Sequence, residues 1–161
     1  MKLNPEFYKN DTHTVAKGLL GKVLCREQDG ILLKGRICEV ESYLGTIDRA
    51  CHAYNGKRGK KNESLYCDGG TMYVYFIYGM YYCFNVVTRS KEFPEAVLIR
   101  GLVPLEGTEL LCLNRYNKNS QDVSKKQLEN LCNGPGKLCK AFNITKEQDG
   151  LNLFGEKIYI I

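Results

Sequence analysis

Arg36-Ile37-Cys38-Glu39-Val40-Glu41-Ser42-Tyr43 carries the first chemistry visible in this chain. Alternate residues of a strand share a face, so Glu39, Glu41 and Tyr43 fall together. Two adjacent carboxylates repel, and burial there raises the pKa of at least one, as a general base requires. A solvent-facing pair of glutamates fits the same local pattern. The strand turns at Leu44-Gly45, which leaves its end open to a ligand. Arg100 closes the apolar run Ala96-Val97-Leu98-Ile99. Such a cation must reach water or a carboxylate, and Glu41 is a candidate partner. His52 stands in an irregular loop, where a plain surface role is an equal reading. Asn85 lies among Tyr, Cys, Phe and Val, and a buried amide needs partners that a base edge or a backbone group supplies.

The stretch Thr71 to Asn85 holds five of the chain's eleven tyrosines and is broken by Gly79. Tyrosine offers a flat apolar face with one polar tip, a combination suited to gripping a base. The pattern predicts a hairpin, Tyr73–Ile77 and Tyr81–Val87, with Tyr78-Gly79-Met80 at its tip. A buried aromatic hairpin with locally bonded hydroxyls accounts for the composition equally. Just upstream, Lys57, Arg58, Lys60 and Lys61 form a glycine-bearing loop without an acid. A basic loop beside an aromatic hairpin is what phosphate contact plus base contact demands, although a solvated loop has the same composition.

The elements that must position these groups read as a mixed α+β fold. A helix is predicted over Thr14–Leu20, capped by Asp11 or Thr12. Strands follow over Lys22–Glu27, Ile31–Gly35 and Arg36–Tyr43, with a turn at Asp29-Gly30. Leu44–Asn62 reads as a long polar loop, and Ala96–Leu102 as a strand beyond the hairpin. Helices are expected from Pro104 to Tyr116, over Ser124–Cys132 and over Lys137–Phe142. The tail, Leu151–Ile161, gives a strand pair or one edge strand.

Composition bounds the rest. Residues 1–161 make one domain's worth of chain, without repeats or a linker. The net charge of +5 is too mild to indicate nucleic acid unaided. No apolar run approaches a membrane span, and the N-terminus has no apolar leader, so a cytoplasmic or nuclear location is expected. The eight cysteines lack any C-x-x-C pair and accompany only two histidines. Reduced, mostly buried thiols are expected, with no metal and no cofactor.

Taken together, these segments resemble the alkyladenine (methylpurine) DNA glycosylase family. The resemblance rests on Glu41-Ser42-Tyr43-Leu44-Gly45, Ala50-Cys51-His52, Gly70 to Tyr81, Val97 to Arg100 with Pro104 to Gly107, and Gly134 to Cys139, in that order. It implies a single compact α+β domain with a curved, mainly antiparallel sheet, a protruding hairpin and flanking helices, like the C-terminal domain of formyltransferases. It implies a monomeric enzyme that flips alkylated or deaminated purines out of double-stranded DNA and hydrolyses the N-glycosidic bond. On that resemblance Glu41 is the general base and Arg100 holds the water and the carboxylate. Tyr43 and Tyr75 sandwich the base, His52 lies at its edge, and Asn85 borders the pocket floor. Tyr78 wedges into the duplex, and Lys57, Arg58, Lys60 and Lys61 meet phosphates. No lysine is placed as an amine nucleophile, so lyase activity is not expected. A lesion binder with weak hydrolysis and a general single-strand binder are the competing classes; the intact Glu41 and Arg100 favour the enzyme. Family members run on past the position of Ile161 with a basic-aromatic segment, so a sheet edge is expected to be left uncovered. Leu65, where relatives often carry methionine, is a minor change.

Overall fold

The computed structural model describes Met1–Ile161. Its strands are β1 (Val23–Gln28), β2 (Ile31–Tyr43), β3 (Met72–Ile77), β4 (Tyr81–Thr88), β5 (Glu95–Glu106) and β6 (Ile158–Ile160). They form one curled antiparallel sheet in the order β3-β4-β5-β2-β1-β6. The helices are α1 (Pro5–Tyr8), α2 (Thr12–Leu19), α3 (Thr108–Tyr116), α4 (Lys125–Glu129) and α5 (Pro135–Ala141). The expected α+β architecture is what the chain adopts.

Alternation divides each central strand between two layers. Met72 and Val74 of β3, Phe84 and Val86 of β4, and Val97 and Ile99 of β5 enter the main core with Leu111, Leu138 and Phe142 of the helical layer. The intervening residues point the other way. Tyr73 of β3, Val87 of β4 and Ala96 of β5 join a smaller cluster with Cys51, Ala53, Leu65 and Tyr66, and Tyr43 and Tyr75 pack against it. The hairpin is therefore both core and site, one face each.

Several boundaries differ from the sequence expectation. Ile31–Tyr43 is one continuous strand. The helix expected from Pro104 starts at Thr108, because β5 runs on to Glu106. Pro104 is tolerated there because it lies opposite Gly35 at a break in register, where a ladder donor is dispensable. Ser124–Cys132 shrinks to α4, started by a capping box between Ser124 and Gln127. The last helix begins two residues early, with Pro135 in its first turn. Of the two tail alternatives, the single edge strand β6 is present.

Both sheet edges are partly closed. The Leu3 amide donates to the Ile160 carbonyl (2.8 Å) on β6. On β3, the Met72 amide donates to the Leu151 carbonyl (2.7 Å) and the Val74 amide to Asp149 Oδ1 (2.9 Å). These bonds satisfy groups that an open edge leaves exposed.

Gly70 leads the chain into β3 with φ +89°, and a Cβ built there runs into the Phe154 ring. Both conformation and space demand glycine. Gly70→Ala is expected to cost about 2–4 kcal/mol in urea unfolding. A loss under half a kcal/mol would contradict this account of the β3 entry.

Candidate active site

Glu41, Leu98, Asn85 and Tyr73 form one cross-strand row, since Glu41 pairs with Leu98, Leu98 with Asn85, and Asn85 with Tyr73. A second row holds Tyr43, Ala96 and Val87. Residues distant in sequence thus share one surface because sheet register aligns them.

Arg100 reaches that surface through a bulge. Glu39 pairs with Gly101 and Val40 with Ile99, so Arg100 is an extra residue on β5. Cys38 is the compensating extra residue on β2, between the Ile37–Leu102 and Glu39–Gly101 pairs. Such bulges re-aim side chains beside functional sites. Arg100 donates from Nη1 to Glu41 Oε2 (2.7 Å) and from Nε to Glu39 Oε1 (2.9 Å). The buried, mutually repelling pair of carboxylates is not what forms: the Glu39 and Glu41 side chains remain 58% and 42% exposed, with a guanidinium across them. These hydrogen bonds and charges raise the Arg100 pKa further, so its charge is permanent.

The pocket beside this pair is lined by Tyr43, His52, Tyr73, Tyr75, Asn85 and Leu65, among others. Its enclosed part is about 20 Å³, room for one water. An aromatic ring does not fit that enclosed part. Burial and the nearby Glu41 carboxylate push the Tyr43 phenol up to about 12, and burial pushes Tyr75 up as well. Both phenols therefore stay neutral near pH 7. Asn85 is 1% exposed and donates to the Tyr73 carbonyl (3.2 Å), which fixes its amide at the floor.

Tyr73 holds His52. Its hydroxyl lies 2.7 Å from His52 Nδ1, and the imidazole stands edge-on to Tyr75 with centroids 4.5 Å apart. Partial burial of the ring lowers the His52 pKa. The only sequence signal for this role was strand alternation, which puts Tyr73 on the face of Tyr75.

The four loop cations separate. Lys57 and Lys61 line a groove of about 750 Å³ together with Arg49 and Lys146, while Lys60 stands outside it. Arg58 is engaged by Glu63 (2.5 and 3.0 Å) and Glu92 (2.5 Å), and its guanidinium stacks 4.4 Å from the Tyr66 ring centroid. Buried Asn62 closes the loop: Nδ2 donates to the Lys57 and His52 carbonyls, and Oδ1 accepts from the Gly59 amide (2.8 Å). Arg58 and Asn62 give the loop its shape. Across the hairpin a second groove, about 440 Å³, is lined by Tyr78, Arg100, Arg115 and Lys137.

Tyr78 projects from the hairpin tip at 85% exposure, with left-handed φ (+54°) followed by Gly79 at +67°. That conformation is uncommon for an aromatic residue and keeps an apolar ring in water. The two positive φ values belong to the hairpin turn, which the Met80 amide closes on the Ile77 carbonyl (3.3 Å); the exposure of the ring is what that turn does not require.

A family model described as methylpurine-DNA glycosylase (MPG) matches residues 6–161. The chain belongs to the methylpurine-DNA glycosylase family. It is 51% identical over 161 residues to a protein of Clostridium perfringens strain SM101 named "Putative 3-methyladenine DNA glycosylase", spanning 99% of this chain and 78% of that one. A protein of the same name from Clostridium acetobutylicum is 51% identical over 160 residues, with the same coverage. A third, from Clostridium botulinum strain Alaska E43, is 51% identical over 149 residues, 92% of this chain and 74% of the relative. DNA is thus the substrate of this methylpurine-DNA glycosylase, and glycosidic bond cleavage its chemistry.

The lowered His52 pKa gives a stability prediction with a definite sign. Between the folded-state pKa and the ordinary value of 6.5, the unfolded chain binds more protons than the folded one. Stability is therefore expected to fall as pH drops through 6.5 toward the folded pKa and to level off below it. His52→Gln is expected to flatten that part of the melting-temperature profile. An NMR titration placing His52 above 6.5 would reverse the sign and refute the prediction.

Proposed function

We propose that this glycosylase releases alkylated or deaminated purines from duplex DNA by water attack, as a monofunctional enzyme without lyase activity. The observation that carries this reading is Glu41, held by Arg100 beside a pocket walled by Tyr43 and Tyr75. In the proposed step, water oxygen bonds to C1′ while the C1′–N bond breaks and its electron pair passes to the purine. The water proton goes to Glu41. An alkylated cationic purine departs neutral without further protonation, whereas a neutral deaminated purine departs as an anion that takes its proton from water. Arg100 orients the Glu41 carboxylate, and general-base assistance of this kind contributes typically 10²–10⁴-fold.

The remaining roles follow from placement. Tyr43 and Tyr75 stack on the extruded base, and an electron-poor ring over each face gains about 0.5–2 kcal/mol. His52, neutral near pH 7, and Asn85 read its edges. Tyr78 fills the space the base leaves in the duplex, since its ring stands exposed at the hairpin tip. Lys57, Lys60 and Lys61 approach phosphates, and Arg58 sets the loop that carries them. The partly closed sheet edges favour action as a monomer.

Wild-type protein incubated with duplexes bearing hypoxanthine or ethenoadenine is expected to give strand breaks only after alkali, because an abasic site is the product. Glu41→Gln should lower single-turnover excision at least 100-fold while lesion-duplex binding persists. Equal activity in the two proteins would falsify the general-base role, and breaks without alkali would show lyase chemistry. Tyr78→Ser should weaken lesion-duplex binding about tenfold or more with an unchanged melting temperature. A matched loss of stability and binding would make Tyr78 a structural residue instead.

A further inference from the structure

The groove between the basic loop and the hairpin gathers Arg49, Lys57, Lys61 and Lys146 with no carboxylate among its lining residues. These cations come from two segments: Arg49, Lys57 and Lys61 from the β2–β3 connection, and Lys146 from the 3₁₀ turn following α5. Like charges brought together by the fold repel one another unless a polyanion lies between them. Lys146 is only partly neutralised. Its Nζ is 3.4 Å from Asp149 Oδ2, while Asp149 Oδ1 is already taken by the Val74 amide.

Phe76 forms part of the same wall and is 53% exposed, an aromatic face turned to water in a cationic channel. Flat apolar surface between cations is the complement of a nucleic-acid strand, where phosphates alternate with bases. The groove shares His52, Tyr73 and Tyr75 with the base pocket, so a strand in it is continuous with a nucleotide in the pocket.

We propose that this groove is a strand subsite for DNA, in which Arg49 and Lys146 meet phosphates flanking the flipped nucleotide on the side of the pocket away from Arg100, and Phe76 takes a base or sugar face. This deepens the proposed function and rests on it. The sequence had drawn the phosphate surface from Lys57 to Lys61; the folded chain adds Arg49, from earlier in the same connection, and Lys146, remote from it.

The test is the salt dependence of binding to a hypoxanthine duplex, compared for wild type, Arg49→Gln, Lys146→Gln and, as a charge-matched control on α4, Lys125→Gln. Each groove variant should flatten the slope of log K against log salt by ~0.9, the value for one lost phosphate contact on B-DNA. Lys125→Gln should leave it unchanged. Shortening the duplex on one side of the lesion should abolish the effect of both groove variants, while shortening the other side should not. Slopes equal to wild type in both groove variants would overturn the subsite. So would an equal flattening in the control, or an effect indifferent to which side is shortened. Because the readout is binding, it separates this inference from the catalytic reading, which is tested by base release.

Discussion

A cation set between two carboxylates is the constraint from which the site is built. Glu39 and Glu41 would repel across one strand face, and Arg100 bonds both. The paired bulges at Cys38 and Arg100 deliver it: each strand gains one residue, and register is restored beyond them. Without them Ile37 and Val40, three residues apart, could not both turn toward the main core. The same irregularity that aims Arg100 also keeps the core packed. All three side chains are substantially exposed, so the contribution to stability is small and the benefit lies in orientation.

The double duty of the sheet explains why the aromatic hairpin is so dense. Its inner face supplies Met72, Val74, Phe84 and Val86 to a fully buried core. Its outer face carries Tyr73, Tyr75 and Asn85, apolar enough to exclude water and polar enough to hold an imidazole and present an amide. The thiols follow the same division. Burial raises Cys139 on the core side and Cys83 beneath Tyr75, which makes both poor nucleophiles at neutral pH.

Arg58 shows how charge in sequence differs from charge in space. Four cations in one loop look equivalent on paper. Two carboxylates and the Tyr66 ring claim Arg58, because Glu63 is close in sequence and Glu92 is brought near by the turn before β5. Arg49 and Lys146 stand nearly a hundred residues apart, yet line one groove with Lys57 and Lys61. Electrostatic surfaces are properties of the fold, since no local pattern records which cations are already paired.

Local rules determined a good deal here. Period-two alternation placed Glu41 with Tyr43 and defined the hairpin, and the Asp11 cap started α2. The apolar run before Arg100 required a partner for its charge, and Glu41 was a correct candidate. Misjudged elements were those decided by neighbours. Pro104 signalled a helix start, yet β2 opposite it extends the strand, and pairing outweighs propensity. Tyr73 was indistinguishable from a packing residue until His52, twenty-one positions away in sequence, came within hydrogen-bond distance. The sequence by itself determined the residue types, their faces and the family. Tertiary structure alone decided the bulges, the pairing of Arg58 and the grooves, because each depends on register between strands or loops that sequence proximity does not encode.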